Sequence, residues 1–203
     1  MLTSSSVDAT TILPSLRRLE LPQRRDLSDD GFGDSRATIT LSRTLLACLY
    51  SGEMALSYRH LGELDLSAHR AWDLAASNLI ERASSPHGVR ILTRPAPISL
   101  GAGAPGVEVS TPGACATAWL AHPHSFSILD SHLEGLLGET VGYLVPSHSL
   151  LFALPLSQLS DSRWIEAAAS LVRPRESLIA SPVRWSQGFP ADLTRSPLVP
   201  AHA

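Results

Sequence analysis

Three histidines carry the main chemical signal in this chain: His122, His124 and His148. His122 and His124 flank Pro123, and on an extended segment residues two apart point their side chains to the same side. Neutral imidazoles placed in this way can share a metal ion or act in acid–base catalysis. A hairpin around His148 could return that side chain to the same end of the sheet. A small metal-dependent or acid–base hydrolase is therefore one hypothesis, and an ordinary loop between a strand and a helix is the other.

Other catalytic motifs do not accompany these histidines. The sequence contains no HExxH, CxxC or GxSxG motif. "GAGAPG", residues 101–106, fits G-x-G-x-x-G, but Pro105 interrupts it and a strand-like segment follows in place of a phosphate-binding helix N-terminus. Cys48 and Cys115 each lie in an apolar run, which predicts buried, reduced and unreactive thiols. We therefore predict no catalytic residue and no cofactor.

The basic residues of the chain are all arginine: the 16 Lys and Arg positions contain no lysine. A lysine Schiff base and a P-loop lysine are therefore excluded. An arginine-only composition also indicates the coding bias of a G+C-rich genome.

Length and composition indicate a globular protein, with one domain or two small ones. The 203 residues are 44% hydrophobic and 17% charged, enough to form a sizeable core. The net charge of −3 gives no reason to expect a nucleic-acid or membrane partner. No apolar run approaches the roughly 18 to 20 residues that cross a bilayer, and the N-terminus lacks the features of a signal peptide. We therefore expect a cytoplasmic protein.

Three amphipathic helices are predicted to position the histidines. The first begins at Ser67, a suitable N-cap, and shows apolar side chains at helical spacing. The second is capped by Ser125 or Ser127 and ends at Gly138. The third is "SRWIEAAASLV", which must end before Pro174.

Strands are predicted on both sides of "PSHS", residues 146–149. The flanking runs, residues 141–145 and 150–154, are apolar at every position, which favours a hairpin buried in a sheet that is covered on both faces. Further strands are predicted at residues 114–121, 177–181 and 183–186. Together these elements predict a single α+β domain at residues 38–186, with a mixed or antiparallel sheet and about three covering helices. Residues 1–37 are predicted as a flexible extension and residues 187–203 as a C-terminal tail.

Two segments also resemble the YtpQ-like family of bacterial proteins of unknown function. The first helix matches a family pattern, and so does the helix that leads into the "PSHS" hairpin. The matching residues are Leu66, Ser67, Ala75, Asn78, Leu79, Gly138, Glu139, Pro146 and Leu151. The resemblance covers roughly residues 40–190, and the long Pro/Gly-rich loop at 95–113 departs from it. It implies an α+β fold and a cytoplasmic bacterial protein, and it implies no reaction and no functional residues.

The four tryptophans fall on the apolar faces of separate elements: Trp72, Trp119, Trp164 and Trp185. Core packing is one interpretation, and a stacking platform for a ligand is the other. Since no catalytic constellation stands out, the leading hypothesis is a non-enzymatic binding or accessory module. Its partner would be a protein or a small molecule that the sequence does not identify.

Overall fold

The protein has the predicted α+β fold, built from antiparallel sheets and helices, in a computed structural model that describes residues 7–19, 33–179 and 181–193. The strands are β1 (Ile12–Arg18), β2 (Thr38–Thr40), β3 (Leu45–Ser51), β4 (Met54–Ala55), β5 (Ser84–Ser85), β6 (Gly88–Val89), β7 (Leu92–Pro95), β8 (Val107–Ser110), β9 (Val141–Leu144), β10 (Leu151–Pro155), β11 (Val183–Ser186) and β12 (Phe189–Asp192). The α-helices are α1 (Tyr58–Glu63), α2 (Ala68–Ala83), α3 (Pro97–Leu100), α4 (Pro123–Leu137) and α5 (Ser162–Ser170). Short 3-10 segments span Ala9–Thr11, Ala116–Ala121 and Leu156–Gln158.

A six-stranded sheet in the order β12-β11-β9-β10-β8-β7 forms the centre of the molecule. The predicted hairpin is confirmed as β9 and β10, which pair with Phe152 opposite Leu144. Alternate residues of these strands enter two different cores, as expected for a sheet that is covered on both faces. The first core receives Val141, Tyr143, Val145, Leu151 and Ala153, and the second receives Leu144, Phe152 and Leu154.

Each core is closed by its own set of elements. The first core contains side chains of α2, α4, the 3-10 segment Ala116–Ala121 and a small sheet in which β3 lies between β1 and β2. The second core contains side chains of α3 and α5, including the buried Trp164. The three helices predicted from sequence are therefore present as α2, α4 and α5.

The helix ends follow the prediction in three cases out of four, including the third predicted helix, which ends at Ser170, before Pro174. Ser67 caps α2 by accepting a hydrogen bond from the Arg70 N–H, and Gly138 ends α4 in the left-handed conformation, with φ 76°. The N-cap of α4 is His122, however, and neither predicted serine. Ser125 lies in the first turn of α4 and is fully buried. Its hydroxyl donates to the Trp119 and His122 carbonyls, so it links the start of α4 to the residues that precede the helix.

The prediction of a flexible extension at residues 1–37 is wrong for the residues that the structure describes there. β1 pairs along its whole length with β3, and Ile12 and Leu16 are fully buried in the first core. Pro14 is tolerated because β1 is an edge strand. The domain therefore begins by residue 7; residues 1–6 and 20–32 lie outside the described ranges.

Two further strand predictions are also wrong. The segment at 114–121 forms a 3-10 helix, and Cys115 at its N-terminal end is exposed, whereas Cys48 is buried as expected. Residues 177–179 form no strand. The predicted tail at 187–203 begins too early, because β12 pairs with β11 up to Asp192; residues 194–203 are outside the described part of the chain.

Asn78, the single asparagine of the chain, ties the N-terminal segment to α2. Its side-chain amide donates to the carbonyl oxygens of Ala9 and Ile12, at 2.9 and 3.0 Å, and the residue is 7% exposed. We expect Asn78→Ala to lower the free energy of unfolding by about 2 kcal/mol, because two backbone acceptors lose their donor away from water. Ser77→Ala, on the exposed side of the same helix turn, should change it by less than about 0.5 kcal/mol. Urea unfolding measures both, and equal losses would contradict the anchoring role.

Candidate functional site

The strongest chemical candidate, His122, lies where α2, the 3-10 segment and α4 meet. It is the N-cap of α4, with φ −149° and ψ 138°, and Pro123 occupies the first helical position. The His122 Nδ1 accepts the backbone N–H of His124 at 3.1 Å. One of the N–H groups that every helix N-terminus leaves unpaired is thereby satisfied by an imidazole nitrogen.

The second ring nitrogen of His122 is also engaged. Nε2 lies 3.1 Å from Oδ1 of Asp73 on α2. The ring packs edge-on against Trp72, with 4.4 Å between ring centroids, and the Trp72 indole N–H donates to the Ala121 carbonyl at 2.7 Å. The neutral tautomer with its proton on Nε2 satisfies both contacts, since Nε2–H donates to the carboxylate and Nδ1 accepts from the backbone.

This environment keeps His122 neutral. Burial lowers the pKa of the imidazole, the hydrogen bond and charge of Asp73 act in the opposite direction, and His124 lowers the pKa further. A general base needs a nitrogen free to accept a substrate proton, and a metal ligand needs a free lone pair. In this geometry both nitrogens of His122 are committed to the fold.

The other two predicted site histidines lie in different settings. The His124 side chain is exposed on the first turn of α4, and His148 is exposed in the turn between β9 and β10. The His148 backbone carbonyl accepts the hydroxyl of Thr117, so this residue contributes its backbone to the structure. Across residues 7–19, 33–179 and 181–193, no group of three or more His, Cys, Asp or Glu side chains is arranged to hold a metal ion. The structure does not bring His122, His124 and His148 together as the metal hypothesis requires.

A buried polar pair that the sequence reasoning missed joins α4 to the sheet. The Tyr143 hydroxyl donates to Oδ1 of Asp130 at 2.7 Å, and the Tyr143 ring packs against Phe126 with 5.3 Å between centroids. Burial raises the pKa of Asp130, against the hydrogen bond from Tyr143, and burial together with Asp130 raises the pKa of Tyr143. A tyrosine in an otherwise apolar strand is the signal for such a partner, because a buried hydroxyl requires one. The pair orients α4 on β9.

The glycine-rich segment at 101–106 lacks the context of a phosphate loop. It follows the four-residue helix α3 and leads into strand β8, so a strand, and not a helix N-terminus, follows it. Gly106, with φ 82°, lies directly against β10: a Cβ there would be 2.9 Å from Leu154 Cα and closer still to the Ala153 carbonyl oxygen. Position 106 requires glycine because the backbone there packs directly against the backbone of β10.

Solvent-facing aromatic side chains occur on the hairpin formed by β11 and β12. Trp185 and Phe189 are each 38% exposed, whereas Trp72, Trp119 and Trp164 are buried in the cores. By strand alternation Trp185 and Phe189 lie on opposite faces of the hairpin. We call the hairpin of β11 and β12, which carries Trp185 and Phe189 and turns at Gln187 and Gly188, the aromatic hairpin.

The tip of the aromatic hairpin is seated next to His122. Gln187 and Gly188 both have positive φ, 51° and 92°, as in the tight two-residue turns that join antiparallel strands. A Cβ on Gly188 would lie 2.8 Å from Cβ of Pro123. The hairpin tip therefore packs directly on the first residue of α4.

Both edge strands of the six-stranded sheet carry a proline at an outward-facing position. Just after the edge strands β7 and β12, the Ala96 N–H donates to the Gly106 carbonyl and the Leu193 N–H donates to the Pro182 carbonyl. Because hydrogen-bonded pairs alternate along an antiparallel ladder, Pro95 and Pro190 occupy positions whose N–H would point away from the sheet. An edge that lacks this donor resists the addition of another strand.

Comparison of the chain with protein-family models, with curated proteins and with solved structures finds no significant match. The resemblance to the YtpQ-like family accordingly stays a prediction. Within the described residues, no helix is both long enough and apolar enough to cross a membrane.

Proposed function

We propose that this protein is a binding or accessory module that recognises a partner through the aromatic hairpin. The observation that supports this most directly is the exposure of two aromatic side chains, Trp185 and Phe189, on a hairpin whose two-residue turn packs on α4. Aromatic residues contribute large contact areas at low conformational cost and are enriched among the side chains that dominate interfaces. The partner would be a protein or an apolar small molecule that packs on these rings.

The geometry around His122 supports a binding function over the hydrolase alternative. A hydrolase that used His122, His124 and His148 would need them around one reacting atom. Here His122 has both nitrogens hydrogen-bonded, and the other two side chains are exposed on separate elements. Both nitrogens of the His122 ring are therefore engaged in holding the fold.

The proposal is tested with a double variant, Trp185→Ser with Phe189→Ser. We expect partners captured by the wild-type protein to lose at least about tenfold in affinity, because truncating central aromatic contacts typically costs more than 1 kcal/mol each. Affinity capture with quantitative mass spectrometry identifies the partners, and calorimetry with the purified partner measures the loss.

The matched control is Leu92→Ser with Leu136→Ser, two exposed apolar side chains outside the hairpin. This control should bind as the wild type does. Equal binding by all three proteins would contradict the proposal. Stoichiometric zinc or hydrolysis of an ester substrate in the wild type, abolished by His122→Asn, would favour the hydrolase instead.

A further inference from the structure

We propose that neutral His122 is a pH-sensitive latch that holds the aromatic hairpin against α4, and that acidification releases the hairpin. The inference deepens the proposed function, on which it rests only for the identity of the hairpin as a binding surface. The latch itself follows from the contacts of four residues: His122 with the His124 N–H, and Pro123 with Gly188.

Protonation of His122 removes the acceptor that caps α4. In the neutral ring Nδ1 receives the His124 N–H at 3.1 Å; a proton on Nδ1 turns that contact into a clash of two donors. The new positive charge would also lie at a helix N-terminus, where the helix dipole disfavours cations. Both effects act on the first turn of α4, which begins at the next residue, Pro123.

The first turn of α4 supports the hairpin tip. Gly188 packs on the Pro123 ring so closely that no side chain would fit between them. β12 is an edge strand, and among the described strands it pairs with β11 alone; it also contacts the 3-10 segment Ala116–Ala121. At the tip itself Gly188 rests on Pro123, so loosening the first turn of α4 removes the support of the tip at that point.

The charged groups around His122 act on its pKa in opposite directions. From α2, Asp73 favours the protonated ring, but its side chain is 70% exposed, so solvent weakens the attraction. His69 lies farther off, behind Trp72, with 6.2 Å between those two rings. On α4, His124 disfavours a second charge. The paired strands of the hairpin carry Arg184 and Asp192, but the influences on the pKa of His122 come from burial, Asp73 and His124.

Burial is the largest influence and lowers the pKa of His122 in the folded protein. The open or unfolded forms, in which the imidazole titrates near its ordinary value of about 6.5, therefore take up the proton at a higher pH than the closed form. The latch is fully closed above that value. It weakens as the pH falls from about 6.5 through the lowered pKa.

The test is amide hydrogen exchange between pH 7.5 and 5.0, corrected for intrinsic rates, on the full-length protein. We expect the His124 amide and residues 186–189 to lose protection together at low pH, about tenfold for each unit by which the pKa is lowered. Residues in the centre of β10 should keep theirs. Acrylamide quenching of Trp185, the exposed tryptophan, should increase over the same range.

The matched variants are His122→Asn and His124→Asn. Asparagine is a good N-cap that does not titrate, so His122→Asn should keep protection at pH 7.5 and lose its pH dependence. His124→Asn should retain the pH dependence, reduced only by the contribution that His124 makes to the lowered pKa of His122. An unchanged pH dependence in His122→Asn would overturn the latch. If that variant does not fold, a His122 ring that titrates at or above 6.5 in wild-type NMR spectra would overturn it.

These readouts require no partner, so the latch and the proposed function can fail separately. Acid-induced loss of protection at the tip, in a protein whose partners do not depend on Trp185 and Phe189, would sustain the latch and refute the binding surface. Partner binding that depends on Trp185 and Phe189, with no loss of protection at acid pH, would support the binding surface and refute the latch.

Discussion

Replacing Phe152 by alanine is expected to lower the free energy of unfolding by about 3 to 5 kcal/mol. Phe152 is fully buried in the centre of β10, opposite Leu144 of β9, and it packs in the second core with Trp164. Removing the ring leaves a cavity between the sheet and the helices that cover it, and close-packed interiors collapse only partially into such a space. Denaturant unfolding of the variant beside the parent measures the loss.

The control for this prediction is His148→Ala in the turn of the same hairpin. Its side chain is exposed, and its one described structural contact uses the backbone carbonyl, which alanine retains. The change should therefore be less than about 0.5 kcal/mol. A harmless Phe152→Ala would show that the second core does not depend on β10, and a large loss in His148→Ala would assign a structural role to the imidazole.

Gly106→Ala is expected to lower the free energy of unfolding by about 3 kcal/mol or more. The added Cβ would meet the Ala153 carbonyl and the Leu154 Cα, both of which are backbone atoms of β10, so relief requires β8 and β10 to separate. Overpacking of this kind typically costs about 1 to 3 kcal/mol. The positive φ of 82° adds about 1 to 2 kcal/mol of strain for a residue with a Cβ.

Gly103→Ala is the matched control from the same loop. Its φ is 81°, and nothing lies within 4 Å of the position that its Cβ would take. It should lose only the strain component, about 1 to 2 kcal/mol. Thermal or denaturant unfolding of both variants separates the two effects. Equal losses would mean that backbone conformation alone, and not the approach to β10, requires glycine at position 106.

The two results together bear on the function of the loop. A phosphate-binding glycine loop needs its glycines so that a ligand can approach the backbone. Gly106 instead allows a strand of the same protein to approach. A stability loss at Gly106 that is larger than at Gly103 therefore supports a structural role for "GAGAPG".

Features that depend on short-range patterns were predictable from the sequence. Helix α2 follows from apolar residues at a 3.6-residue period after the Ser67 cap, and the end of α4 follows from Gly138. The two-faced apolar runs around "PSHS" indicated a covered sheet, because a strand with one solvated face alternates instead. Each of these inferences uses neighbours within a few residues, where backbone geometry restricts the outcome.

The 3-10 segment shows where such patterns lose their information. All six residues of Ala116–Ala121 are buried, so neither a period of two nor a period of 3.6 is visible in their polarity. A short apolar run of this kind is compatible with strand or helix. Only packing against β1 and α4 selects between them, as the contacts of this segment show.

Tertiary structure alone determined the N-terminal strand, the role of His122 and the exposure of the hairpin. β1 has few large apolar residues and a proline, and it is ordered by pairing with β3 and by Asn78, which is more than sixty residues away in sequence. The His122 ring is held in its capping position by contacts with Asp73 and Trp72 of α2. Trp185 resembles the three core tryptophans in sequence, but it lies in β11, next to the edge strand of the sheet, and is 38% exposed. Such long-range contacts depend on which elements meet in space, and local sequence patterns carry no record of them.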